Sequence, residues 1–211
     1  LFSGWFDEDL PEDKEKKIKG NDHIKEIILT DVEELPDYAF DSCEALEKVE
    51  LGNLKKVGNA PFRGCDNLND LKGSEDCPAQ NLILYSKHTD GSLILEECLP
   101  QKEGVVNSAS DPLLKDVSHI QESAFENCNK IGSVDLSDLT RLDTIPKYAF
   151  KNCAKLDSVL LPTSIKKIQE EAFARPDFLD ENGEPVNVPS LTVTVPGREV
   201  SVHDEAFDHS E

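Results

Sequence analysis

Apolar residues in this chain fall at fixed offsets from a recurring phenylalanine. Ile145 to Pro162 (IPKYAFKNCAKLDSVLLP) lies without a gap over Leu35 to Gly52 (LPDYAFDSCEALEKVELG), so that Phe150 matches Phe40, Cys153 matches Cys43 and Val159 matches Val49. Weaker copies surround Phe62, Phe125, Phe173 and Phe207. Five residues before each Phe stands Leu, Val or Ile; three after stand Cys43, Cys65, Cys128 and Cys153, with Pro176 in the fifth copy; six after, in the first five copies, stands Leu or Ile. Nine and eleven after come pairs such as Val49 with Leu51 and Val159 with Leu161, alternating with polar residues as in a half-buried strand. The Phe and Cys, three apart, have the spacing of neighbours on a helical turn. Each unit therefore reads as a short helical turn, a bend and a short strand. One unit cannot cover its own apolar face, whereas stacked units bury it.

The Phe40–Phe62, Phe125–Phe150 and Phe150–Phe173 separations are 22, 25 and 23 residues. These periods, with the strand motif Leu-x-x-Val-x-Leu, belong to the leucine-rich-repeat range. The usual Asn three residues past the strand is replaced by Leu54 and Leu139. With Ala-Phe-x-x-Cys added, the unit resembles the BspA-type leucine-rich repeats of secreted and surface proteins, from about Ile24 to Phe207. The expected fold class is an α/β repeat: a leucine-rich-repeat solenoid with short parallel strands on one side and short helical turns on the other. The shared residues are core residues, so they specify a fold and not a function.

Several segments depart from the unit. Residues 1–23, with Trp5, Phe6 and a charged stretch from Pro11 to Ile18, read as an N-terminal cap, and residues 24–211 as the array. At about 73–116 the Phe turn is missing. Apolar runs at Asn81 to Tyr85 and Ser92 to Leu95 flank Asp90-Gly91, a hairpin signal. This resembles the hairpin-bearing variant unit of BspA-type proteins, and residues 101–112 follow as a polar loop. An acidic insert runs from Arg175 to Pro189.

The formal net charge is -21, which repels nucleic acid and anionic membranes and otherwise reads as a self-repelling soluble surface. No apolar run approaches the ~20 residues that span a bilayer. Leu1-Phe2-Ser3 has no basic region before it, and the chain lacks Met, as a mature or trimmed product does. The four repeat-position cysteines read as small buried hydrophobes: no C-x-x-C pair exists for zinc, and parallel side chains on strands ~4.8 Å apart are poor disulfide partners, whose Cβ atoms need about 3.5–4.5 Å and converging vectors. Cys77 and Cys98 flank the hairpin, outside that ladder, and remain candidates for a bond under oxidising conditions. The histidines His23, His88, His119, His203 and His209 follow no repeat position, and no catalytic signature is present. Asp177, Asp180, Glu181, Asn182 and Glu184 offer calcium-type ligands without EF-hand spacing, and a solvated loop accounts for them better. We therefore expect no enzyme, no cofactor and no metal.

The resemblance implies a secreted or cell-surface protein of adhesive role, with a host or cell-surface protein as partner, a matrix protein included. A surface glycan-binding or carbohydrate-processing protein and a structural spacer stand as alternatives. Packing fixes the inward strand residues, so the candidate binding positions are those between them: Lys48 and Glu50, Asp70 and Lys72, Ser133 and Asp135, Ser158 and Leu160, Thr192 and Thr194, with Glu26 and Ile28 ahead of them. Parallel stacking should set these in two columns on one sheet face. The competing locations are the hairpin near Asp90 and the insert near Asp180.

Overall fold

The computed structural model describes residues 23–175, 188–197 and 199–207. The stretch read as an N-terminal cap, except His23, and the calcium-type residues of the insert lie outside these residues. The fold is a leucine-rich-repeat β-solenoid of about six turns. Its main strand column opens with a parallel sheet of β1 (Glu26–Ile28), β3 (Lys48–Glu50) and β5 (Asp70–Lys72). It continues as a second parallel sheet of β9 (Gly104–Val106), β11 (Ile131–Asp135), β13 (Ser158–Leu160) and β15 (Thr192–Thr194). A column of two-residue strands precedes the Phe turns: β2 (Glu34–Leu35) with β4 (Lys56–Val57), and later β12 (Thr144–Ile145), β14 (Lys167–Ile168) and β16 (Ser201–Val202). Alternation sets the side chains: in β3, Val49 is fully buried while Lys48 and Glu50 face outward.

The expected helical turns are not present. The helical segment among the described residues is a 3-10 stretch, Pro112–Asp116. At the Phe positions the residues two before and two after the ring adopt the left-handed region: Tyr38 and Ser42 (φ 55° and 58°), Ser123 and Asn127 (60° and 61°), Tyr148 and Asn152 (58° and 61°). Left-handed residues four apart forbid a continuous helix. The freed N–H groups donate to the next turn instead: Tyr38 to Asn59 (2.9 Å), Phe40 to Pro61 (2.8 Å) and Ser42 to Arg63 (2.7 Å). Intervening amides close tight turns, Asp41 N–H donating to Tyr38 and Cys43 N–H to Phe40. A three-residue Phe–Cys spacing suits such turns as well as a helix, so spacing alone could not separate them.

The phenyl rings stack along the axis: Phe40 on Phe62 at 5.6 Å, Phe125 on Phe150 at 4.8 Å, Phe150 on Phe173 at 5.2 Å and Phe173 on Phe207 at 5.3 Å between centroids. Phe40, Phe62, Phe125, Phe150 and Phe173 are buried in line, whereas Phe207 is half exposed. The cysteines run beside them. Cys65 and Cys153 donate their thiol hydrogens to Phe40 O (3.1 Å) and Phe125 O (2.9 Å). Neighbouring turns sit so close that a Cβ on Gly52 (φ 47°) would stand 1.8 Å from the Leu29 carbonyl oxygen.

The core is not continuous, as simple stacking implied. It divides into two clusters at the hairpin formed by β7 (Ile83–Lys87) and β8 (Leu93–Cys98), to whose outer edge β6 (Ala79–Gln80) pairs. The strand period explains the partition: Leu84 packs into the N-terminal cluster, and Ile83 and Tyr85 on the opposite face pack into the C-terminal one. The hairpin is thus a wall shared by both. Its tip closes where Asp90-Gly91 predicts, with His88 N–H donating to Ser92 O at 2.8 Å and Gly91 at φ 83°. On its far edge β8 runs parallel to β10 (Val117–Ile120).

The segment read as a polar loop at 101–112 holds β9 as the edge strand of the second sheet. It also holds a buried ion pair, Lys102 Nζ to Asp111 Oδ1 and Oδ2 at 3.0 and 3.1 Å. The two charges satisfy each other, which is why polar residues lie inside here.

Candidate functional site

The outward strand residues form columns in register. Glu26, Lys48 and Asp70 align across the first sheet, as do Ile28, Glu50 and Lys72. Ser133, Ser158 and Thr192 align across the second, as do Asp135, Leu160 and Thr194. All ten candidate positions therefore lie where the alternation put them, but on two sheets separated by the hairpin turn of the solenoid, not on one unbroken face.

The two halves differ chemically. On the first sheet Lys48 pairs with Glu26 (2.7 Å) and Glu50 (3.4 Å), and Lys72 with Glu50 (3.5 Å). Hydrogen bonding to Glu26 and then to Glu50 raises the Lys48 ammonium, and the Lys48 hydrogen bond, followed by the charge of Lys72, lowers the Glu50 carboxyl. These charges largely neutralise one another. The second sheet carries hydroxyls and half-buried Leu160 beside Asp135, whose Oδ1 accepts from Ser137 N–H at 2.9 Å. Val105, half exposed on β9, heads the Ser133 column. Sequence reading missed it because β9 begins at Gly104 (φ 77°) in the unit without a Phe turn, so no repeat offset marks it as a strand.

The hairpin tip is the main alternative. Asp90 accepts from Ser92 N–H and Oγ–H, contacts His88 Nδ1 at 3.0 Å and pairs with Arg141. These hydrogen bonds, those of Ser92 first, hold its carboxyl well below the usual range. His88 stacks on His119 at 5.2 Å. Every atom of Asp90 named here serves the turn or its anchoring to the next coil, so the cluster reads as a brace. Among the described residues no cluster of His, Cys, Asp and Glu could hold a metal ion.

The six cysteines are buried and none forms a disulfide. Cys77 belongs to the N-terminal cluster and Cys98 to the C-terminal one, which places the two candidates for a bond on opposite sides of the wall. Cys98 in fact joins the ladder: Cys128 donates its thiol hydrogen to Cys98 O at 3.1 Å. Burial, the leading cause, raises the Cys153 thiol to about 12 and the Cys77 thiol to about 11. None of these groups is poised as a nucleophile.

Sequence reading also missed two adjacent buried carboxyls, Glu96 and Glu97. Glu96 accepts from Ser86 Oγ–H, and Glu97 Oε2 accepts from the Phe62 N–H at 3.0 Å. Burial raises Glu96 to about 7 and Glu97 to about 8. The available signal was the absence of a Phe turn in this unit, which strands the Phe62 amide.

A sequence profile described as "BspA type Leucine rich repeat region" matches residues 14–82 and 108–210 in six copies. No curated protein matches the sequence significantly. Among solved structures, the pneumococcal vaccine antigen PcpA is similar at TM-score 0.51 and 19% identity, over 71% of this chain and 42% of that one. A leucine-rich cell surface protein from Faecalibacterium prausnitzii aligns at TM-score 0.47 and 19% identity, over 72% of this chain and 51% of that one. A leucine-rich repeat protein from Bacteroides ovatus aligns at 0.39 and 18%, over 78% and 45%. The chain thus spans about half the length of these proteins or less. The likeness to PcpA bears on the fold alone.

Proposed function

The chain belongs to the BspA-type leucine-rich-repeat family, and from that premise we propose that it is a non-catalytic module, secreted or displayed on the cell surface, that binds a protein through the outer face of its strand column. The supporting observation is the in-register set of outward columns, above all Ser133, Ser158 and Thr192 beside Leu160 and Thr194. Short side chains on a rigid parallel sheet present a flat surface of hydroxyls with an apolar centre, which a protein covers with little loss of side-chain entropy. Solenoids use such extended faces for binding. The charged first sheet sets orientation rather than affinity, because its ion pairs already satisfy one another. Adhesion to a host or matrix protein is the role this surface fits.

The test is a binding screen of the whole chain against host cell-surface and matrix proteins and a glycan array. It is repeated with Ser133→Lys plus Leu160→Arg, two positions whose side chains do not brace the backbone. A protein ligand lost with this pair supports the reading. Ligands that are glycans only, or a protein ligand kept by the pair and lost when the hairpin tip or the 175–189 insert is changed, would sink it.

A further inference from the structure

The stack of Phe turns is interrupted once, and the interruption leaves a built cleft. Between complete neighbours, three amides of one turn donate to three carbonyls of the next. The donors stand at the Phe and two residues either side; the acceptors stand three before, one before and one after the next Phe. Ser123, Phe125 and Asn127 thus donate to Lys147, Ala149 and Lys151 at 3.1, 2.8 and 3.0 Å. Between the Phe62 and Phe125 turns only the middle rung is filled. There β8 supplies substitutes: Glu97 Oε2 accepts from Phe62 N–H at 3.0 Å, and Cys98 N–H donates to Ala124 O at 2.6 Å.

The outer rung is open. Among the described residues the Gly64 N–H donates to no backbone carbonyl and the Glu126 carbonyl accepts from no backbone amide. Both line a cleft of about 420 Å³, with Glu97 and Cys98 also lining it and Gln101 and Asn127 beside them. Gln101 spans one end, its Nε2–H donating to Asp66 O and its Oε1 accepting from Lys130 Nζ. The wall's cations are engaged: Arg63 pairs with Asp41 at 2.7 Å and lies over the Tyr38 ring, and Lys130 serves Gln101. The cleft therefore offers no free cation to an anion. Among the described residues none that lines it is aromatic, so they offer no ring for a sugar to stack on.

What it offers is a backbone donor at Gly64 on one turn and a backbone acceptor at Glu126 on the next, both without a backbone partner among the described residues and both at the space of a missing polypeptide layer. We propose that this cleft binds a short peptide segment of a partner protein, seated as the absent turn, with a peptide carbonyl accepting from Gly64 N–H and a peptide N–H donating to the Glu126 carbonyl. A peptide unit presents an acceptor and a donor on opposite edges, as each turn of the solenoid does, and added backbone layers are a recurrent mode of peptide recognition. The site is on the turn side and is independent of whether the strand face binds.

The experiment follows backbone amide resonances of the isotope-labelled whole chain during titration with acetyl-Ala-Asn-Ala-amide and, separately, with N-acetylglucosamine, each into the millimolar range. The peptide should shift Gly64 and Asn127 saturably and leave Lys48 and Val159 unmoved. Glu126→Gln keeps the backbone carbonyl and should bind as the parent does. Glu126→Trp fills the cleft and should weaken binding at least tenfold while the remaining spectrum shows the fold intact. Three results would each overturn the proposal: no saturable shift with the peptide, a shift unchanged in Glu126→Trp, or a response to the sugar alone.

Discussion

The Phe62 amide donates to the side chain of Glu97, 35 positions on, where every complete turn of the stack offers a main-chain carbonyl. A carboxyl has been drawn into the core to replace a missing layer of backbone. Its surroundings are poor in compensation: Arg63 favours the ionised form, while Asp41 and Glu96 oppose it, and burial outweighs them all.

That burial makes stability depend on pH. The Glu97 carboxyl moves from its ordinary 4.5 to about 8, and Glu96 to about 7. A carboxyl with a raised folded pKa carries more proton in the native state than in the unfolded chain. Its contribution to stability is complete below 4.5, declines as pH rises through the window to about 8, and is lost above it. Urea unfolding at pH 5, 7 and 9 should show stability falling across this range. Glu97→Gln keeps an acceptor for Phe62 and should flatten the fall, and Glu96→Gln with it more so. Parallel curves for parent and double variant would contradict the assignment.

The ring stack yields a contrast within one side-chain type. Phe150 is packed between Phe125 and Phe173 and 1% exposed, whereas Phe207 meets one ring among the described residues and is 47% exposed. Phe150→Ala should cost about 3–5 kcal/mol in denaturant unfolding, and Phe207→Ala clearly less. Equal losses would mean that the rings are not what the turns are built around.

Much of this was legible in the sequence, and the failures have causes. Inward positions such as Val49, Val159 and Phe150 repeat because the same contact recurs in each turn, and the Asp90-Gly91 hairpin is announced by local backbone chemistry. The turn conformation was not legible, because Phe–Cys spacing is common to a helix and to successive tight turns; the left-handed Asn127 and Asn152 were the better clue. The divided core was not legible either. It depends on which face of β7 carries Leu84, and that follows from where the hairpin docks rather than from any period. For the burial of Glu97 the missing Phe turn was the one signal, and it did not single out this residue, since its partner is a backbone amide far away in sequence.

The cysteines should be silent in the native protein. Cys43, Cys65, Cys128 and Cys153 are buried, and the raised thiols of Cys77 and Cys153 keep the reactive thiolate scarce at neutral pH. A thiol reagent at pH 8 should find no more than slow reaction until denaturant is added, and then all six residues. Mass mapping of the native chain that links Cys77 to Cys98 would contradict their placement on opposite sides of the hairpin wall.

Lys48 tests the reading of the charged half of the strand face. It sits between Glu26 and Glu50 on an exposed sheet, where solvent screens each pair and the fold gains little from either. Lys48→Ala should leave the unfolding midpoint close to the parent's at high salt. At low salt it should lower the midpoint slightly, because the diagonally placed carboxylates of Glu26 and Glu50 on adjacent strands then lack the cation between them. The same change should strengthen the salt dependence of binding to a basic protein ligand, since the Glu26 carboxylate becomes available to it while Glu50 keeps Lys72. A large loss of stability at high salt would mean that the ion pairs hold the first sheet together, and that this half of the face is scaffold rather than surface for a partner.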